Sequence, residues 1–326
     1  MLHLISLVVL IAQVDVKPLR ETVSETHQTD DPALWYNRKN PSASFILGTV
    51  KMAAPDGAIA VYKLDGSRLM SIPNVDRPNN IDVAYGLKLG ARKIDVAIAT
   101  ERNKSALRVF EIVPGKGIKD LASLPVFAGQ SGAMAQPMGI ALYTRKRDKA
   151  IFAIVSRKNG PSGSYLWQYL LRDNGQGQLV AEKVREFGQY SNSKEIESVA
   201  IDPQREHVYY SDEGAGIRKY HADPNHPEAA RELALFATGG WKGDREGIAV
   251  TGNYVVATDQ QHPNTEFHVF DRDSLKELGV FRVGADTTDG IDISTSLNLF
   301  IAMNDSRHNF ILASWPEIRA ALKLKP

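Results

Sequence analysis

Residues 244–270 read DREGIAVTGNYVVATDQQHPNTEFHVF, and they hold the unit that decides the fold. Glu246-Gly247 opens an apolar run that starts at Ile248. A second run ends in Thr258-Asp259-Gln260, and a third, Phe267-His268-Val269-Phe270, alternates as a half-buried strand should. The opening recurs as Asp31-Pro32-Ala33, Asn79-Asn80-Ile81, Met138-Gly139-Ile140, Glu197-Ser198-Val199 and Asp289-Gly290-Ile291. Successive openings lie 48, 59, 59, 49 and 43 residues apart. Each is followed by a second strand with a marked end, at Thr49-Val50-Lys51, Thr100-Glu101-Arg102, Ser156-Arg157-Lys158, Ser211-Asp212-Glu213 and Met303-Asn304-Asp305 in the other five units. Turn chemistry such as Asp65-Gly66 and Asp173-Asn174-Gly175 separates the runs. Six units of short strands predict an all-β chain, a six-bladed β-propeller. A sandwich leaves the six matched openings unexplained. A (β/α)₈ barrel needs long helices, and the good helical stretch is Pro316 to Lys323, after the last strand. Residues 15–28 are expected to close the ring as the outer strand of the last blade.

The composition suits a soluble globular chain: 326 residues, 43% apolar and 24% charged, enough to bury a sizeable core. Net charge is +1, which argues against a general nucleic-acid binder. There is no cysteine, so disulfides, thiolate nucleophiles and Cys-based metal sites are excluded. Leu2 to Ala12 is almost continuously apolar, too short to span a bilayer but long enough for a signal-peptide core. Its n-region lacks Lys and Arg. The expectation is a cleaved signal over 1–12, one propeller domain over 13–326, and a secreted or periplasmic monomer with no membrane contact after processing.

In a propeller, equivalent positions of the blades ring the central axis. The openings then place Asp31, Asn79, Met138, Glu197, Glu246 and Asp289 around one mouth. The second-strand ends place Lys51, Arg102, Lys158, Glu213, Gln260 and Asp305 beside them. That second ring is split, with cations from blades one to three and carboxylates plus an amide from blades four to six. Convergent carboxylates repel unless a cation lies among them. The available ligands are oxygens, from Asp31, Glu197, Glu213, Asp244, Glu246, Asp289 and Asp305 with Asn79 and Gln260. Such a set suits Ca²⁺, in several ions, better than Zn²⁺. The arc of Lys51, Arg102 and Lys158 suits a phosphate held opposite.

These residues also carry a resemblance. Asp30-Asp31-Pro32-Ala33-Leu34-Trp35, Asn79-Asn80-Ile81-Asp82-Val83, Asp95-Val96-Ala97-Ile98-Ala99, Asp244-Arg245-Glu246-Gly247, Thr288-Asp289-Gly290-Ile291-Asp292 and Asn309-Phe310-Ile311 leading to Trp315 occur in that order. Together they make the chain, from about His27 to Ile318, resemble the β-propeller phytases, calcium-dependent enzymes that hydrolyse phytate. The resemblance implies phosphate-binding cations at Lys51, Arg102 and Lys158, with Asn159 beside the last. It implies calcium-binding carboxylates at Asp31, Glu197, Glu213, Asp244, Glu246 and Asp289, with Asp305 in the matching last strand end. The expected catalytic set is Lys51, Arg102, Lys158, Glu197 and Glu246. A second phosphate subsite is also implied. Two positions depart from the pattern. Met52 stands where a second Lys is common, and Met138 where Tyr is common. The competing readings are a six-bladed calcium-dependent lactonase or esterase, and a non-catalytic propeller that serves as a binding platform.

Overall fold

The computed structural model describes residues 12–325. Six small antiparallel sheets form the ring, each a meander whose first strand lines the axis. The first strands are Thr29–Trp35, Pro78–Leu89, Pro137–Thr144, Val199–Asp202, Asp244–Thr251 and Ile291–Ser294. The expected six-bladed propeller is the fold observed.

Apolar alternation along the strands is what makes the ring cohere. Each sheet buries both faces against its neighbours, and the buried side chains fall into six clusters, one per blade–blade interface. Leu34, Ile46 and Tyr62 of blade one, for example, meet Ile301, Phe310 and Leu312 of blade six. That last interface closes the circle. The N-terminal chain seals it further, since Arg20–Glu21 pairs with Asn309–Ser314 as the outer strand of blade six. The ring closure expected of residues 15–28 is therefore made by these two. Ala12–Asp15 does something the sequence did not suggest: it adds a fifth, parallel strand to blade five, with Ala12 opposite Gly279 and Asp15 opposite Arg282. The helix is Trp315–Ala321, capped by Ser314, whose side chain accepts the Glu317 N–H at 3.2 Å. Its Trp315 and Ile318 pack into the interface of blades five and six.

Four of the six openings are β-bulges. In blade one the register jumps between Thr29 and Pro32, so Asp30 and Asp31 together oppose Thr49. The same jump sets Asn79-Asn80 against Thr100, Met138-Gly139 against Ser156, and Glu246-Gly247 against Thr258. A hydroxyl then ties blade to blade. Thr100 Oγ1 accepts the Asn80 N–H at 3.1 Å and donates to Met138 O of the next blade at 2.7 Å. Thr49 does the same with Asp31 N–H at 2.9 Å and Asn79 O at 2.8 Å. Ser156 does it with Gly139 N–H at 2.9 Å and Ile196 O at 2.6 Å. Glycine at the second bulge position has a steric reason. A Cβ on Gly139 would stand 2.2 Å from Glu197 O, and one on Gly247 2.5 Å from Asp289 O. These contacts hold the mouth residues of adjacent blades in register.

Candidate active site

Lys51 follows the strand Phe45–Val50 and reaches across the mouth. Its Nζ lies 2.6 Å from Asp30 Oδ1, 3.6 Å from Glu197 Oε2 and 3.6 Å from Asp289 Oδ2. A side chain of blade one thus touches blades four and six. Burial works against its charge, but Glu197, Asp289 and Asp30 outweigh burial and push its pKa up. Arg102 starts a 3-10 turn, Arg102–Lys104, and is buried. It donates to Asn79 Oδ1 and lies 3.8 Å from Glu197 Oε1. Its Nε is buried with no partner among the described residues. Lys158 pairs with Glu195 and is the most open of the three, its side chain 35% exposed. Beside it, Asn159, Tyr190, Asn192 and Lys194 line a depression of about 500 Å³.

Glu197 is the hub between the arcs. Burial raises its pKa, but Lys51 and Arg102 overcome burial and hold the carboxylate below its usual range. The acidic arc behaves oppositely. Burial, then the charges of Glu197 and Glu195, push Glu213 up to about 8. Burial with Glu197, Glu213 and Asp289 raises Glu246, and burial with Asp30 raises Asp289. Carboxyl oxygens of Glu213, Asp244 and Glu246 lie within 4.8 Å of one another. Crowded, buried carboxylates with raised pKa values and oxygen-only donors are what a hard divalent cation relieves. Lys194 bonds Asp244, and Gln260 Nε2 donates to Asp289.

Arg245 stands between two of those carboxylates in sequence and points the other way. Its Nε donates to Ala237 O at 3.0 Å and its Nη1 to Glu213 O at 2.8 Å. Its guanidinium lies over Trp241, which stacks on His268 with ring centroids 4.4 Å apart. Asp259 accepts the Lys242 and Gly243 N–H groups at 3.0 and 2.6 Å. The segment carrying Asp244 and Glu246 is therefore clamped at both ends. Asp259, Glu266 and His268 also converge within 4.8 Å, but Lys242 and Arg282 already bond Glu266.

Two expected site residues lie elsewhere. Asp31 does not join the ring of carboxylates around Lys51. Its Oδ2 accepts the Ile81 N–H at 2.9 Å and it lines the central channel, while Asp30 holds Lys51. The bulge explains the correction: Asp30, not Asp31, is the equivalent of Asn79, Met138 and Glu246. Asp305 begins a 3-10 turn, where its Oδ1 accepts from Gln28 at 3.1 Å, and among the described residues no side-chain hydrogen bond or ion pair ties it to the other carboxylates of the ring. Met138 is fully buried at the third opening. Asp30 and Glu195 are the mouth residues that the sequence reading missed. For Asp30, the signal was the hydroxyl two positions before Lys51, Arg102 and Lys158, which bonds the second residue of the bulge in blades one to three.

The family model described as "Phytase" matches residues 8–298. This chain belongs to the phytase family. A curated relative, the 3-phytase of Bacillus subtilis (strain 168), is 26% identical over 91% of this chain and 82% of its own length. Solved structures share the architecture at lower identity. A gluconolactonase from Xanthomonas campestris superposes with a TM-score of 0.58 at 13% identity, over 91% of this chain and 88% of that one. A putative 6-phosphogluconolactonase from Bacteroides uniformis gives 0.55 at 11% identity, over 86% and 80%. At such identities these two speak to the fold alone.

Proposed function

We propose that the protein hydrolyses phosphomonoesters of phytate in a calcium-dependent reaction, releasing inorganic phosphate. The observation that carries this reading is the opposition of two arcs. Lys51, Arg102 and Lys158 approach from one side, and Glu213, Asp244, Glu246 and Asp289 from the other, with Glu197 between them. The residues that would hold calcium are Glu213, Asp244 and Glu246, joined by Asp30, Glu197 and Asp289. Bound there, calcium would supply Lewis-acid activation of water and neutralise phosphate charge.

The protein's own groups do the rest. Arg102 and Lys51 bind the phosphate oxygens and stabilise the charge that develops on them. Arg102 is suited to this, because its buried Nε has a hydrogen bond left to give. Lys158, more exposed, meets the leaving-group side and adjoins the depression beside Asn159, which has room for the rest of a polyphosphorylated ring. Glu197 is kept ionised by Lys51 and Arg102, so it can accept a hydrogen bond from the attacking water. Export fits the apolar stretch at 2–12, with the mature chain beginning near Gln13.

The test is phosphate release from phytate with Ca²⁺, with Zn²⁺ and with chelator. Release that needs a metal and is restored best by Ca²⁺ supports the reading. Full activity in excess chelator would remove calcium from it. Turnover of a lactone but not of phytate would favour the lactonase alternative, and no turnover of either a binding platform.

A further inference from the structure

We propose, resting on the calcium-dependent reading above, that Lys194 is a further substrate-binding residue and that bound calcium makes it available. Lys194 stands at the seam of the two arcs. Its Nζ bonds Asp244, and the residue also lines the depression that adjoins Lys158 and Asn159. One long cationic side chain therefore faces a candidate calcium ligand on one side and the space for substrate phosphates on the other. Glu195, the next residue, holds Lys158, so this loop places one counter-charge on each arc.

The loop that carries Lys194 is fixed, and its side chain is not. Asn192 and Lys194 both adopt left-handed backbone, with φ of 59° and 60°. Such a conformation costs a non-glycine residue free energy and persists only where its surroundings impose it. Here Tyr190 Oη donates to Lys194 O, the Ser191 N–H donates to Asp212 Oδ2 at 2.8 Å, and the Glu213 N–H donates to Glu195 O at 3.2 Å. Gly214 packs so closely on the loop that a Cβ there would stand 2.7 Å from Ser193 O. The Lys194 side chain, by contrast, is 50% exposed, and Asp244 is its one ion-pair partner among the described residues. Lys51 differs on both counts, being 12% exposed and held by Asp30, Glu197 and Asp289. A single exposed pair is weak and readily exchanged, whereas a buried cation among three carboxylates stays in place. Of these two lysines, Lys194 is the one that yields.

Charge sets the direction of the exchange. Carboxyl oxygens of Glu213, Asp244 and Glu246 converge, so a divalent cation held by them would meet Lys194 Nζ as a like charge on the same carboxylate. Lys194 then leaves Asp244, and the anion offered on its other side is a substrate phosphate beside Lys158 and Asn159. Its ammonium brings a point charge and three donors that suit any phosphate orientation. The linkage is reciprocal. A phosphate that engages Lys194 raises calcium affinity by the factor with which calcium raises that of the phosphate.

Calorimetric titration of Lys194→Met, which keeps the apolar stem and removes the charge, tests this without turnover. Titrated with Ca²⁺ alone, the variant should bind roughly 2 to 5-fold more tightly than the parent, because the competing ammonium is gone. Titrated at saturating Ca²⁺ with myo-inositol hexasulfate, a polyanion with no phosphate ester to hydrolyse, it should bind about 10-fold more weakly. Lys194→Arg should stay near the parent in both titrations, and both variants should keep the parent's Tm. The opposite signs are diagnostic, since a lysine with a merely structural role would lower both affinities together. A fall in both for Lys194→Met, or parent-like values in both, would overturn the inference and leave the calcium-dependent reading standing. A parent that bound no calcium would overturn both.

Discussion

At the scale of single residues, the site depends on charges that cannot be exchanged. Arg102 is buried and bonded to Asn79, yet keeps an unpartnered Nε in the mouth. Arg102→Ala should lower phytate turnover by roughly 10² to 10³-fold, the loss of about 2–4 kcal/mol expected for a charge-stabilising donor. Lys158→Ala should lose less, because its side chain is more exposed and water can replace part of it. Added Ca²⁺ should rescue neither, whereas Glu246→Ala should bind calcium weakly and recover in part at high Ca²⁺. Steady-state kinetics over a calcium series separate these outcomes, and parent-like activity in Arg102→Ala would show that the two arcs do not share a phosphate. Most of this set was legible in the sequence, because the strand ends at Lys51, Arg102 and Lys158 repeat with the blades. Asp31 was misplaced because strand parity alone cannot tell which member of a two-residue bulge faces the mouth. Glu195 was missed because its partner, Lys158, comes from another blade.

At the scale of elements, positioning is done by hydroxyls and backbone. Thr100→Val keeps the shape of the side chain but leaves the buried Asn80 N–H and Met138 O without their partner. Denaturant unfolding should show a loss of about 1–3 kcal/mol. Because Asn79 holds Arg102, activity should fall further than stability predicts. An unchanged midpoint would mean that the bulge does not depend on this staple. The clamp on residues 241–246 makes a separate prediction. Arg245 touches no candidate ligand oxygen, but it fixes the Glu213 backbone against the strand that carries Asp244 and Glu246. Arg245→Ala should weaken calcium binding by roughly 10 to 100-fold, as loss of a supporting contact does in metal sites, and Arg245→Lys should recover part of it. Calorimetric titration with Ca²⁺ reads this directly, and equal affinity in Arg245→Ala would place the control of ligand spacing elsewhere. None of the clamp was visible in the sequence, since Trp241 and Ala237 meet Arg245, and His268 meets Trp241, only once the blade has folded.

At the scale of the whole molecule, six weak repeats sufficed to give the architecture because a ring imposes one interface six times. The extra strand Ala12–Asp15 escaped notice because parallel pairing at an outer edge needs no repeat signature. The ring also creates a channel, and the channel has its own chemistry. Asp82 accepts the Val83 and Leu142 N–H groups at 2.6 and 2.7 Å, and Asp292 those of Ile293 and Leu34 at 2.6 and 2.7 Å. Each therefore bridges its own blade to a neighbour. Burial still dominates these bonds, raising Asp82 to about 7 and Asp292 to about 6. An acid whose pKa is raised by folding costs stability where it is ionised, and the cost shrinks as pH falls below the folded value and is gone below the unfolded one. Glu266 has the opposite sign. Burial opposes its charge, but Lys242 and Arg282 outweigh burial and hold it down to about 2, so its contribution is lost only in stronger acid. The protein, saturated with calcium, should therefore gain thermal stability as pH drops from about 8 to about 5, and lose it below about 4. Asp82→Asn cannot ionise, so its Tm should vary less across the upper window, by about 2–5 °C relative to the parent. The same rise in the variant as in the parent would show that Asp82 is not the group responsible. A rise that appeared in both proteins only when calcium was chelated would transfer the effect to the mouth, where protonation would relieve the crowded Glu213 carboxylate.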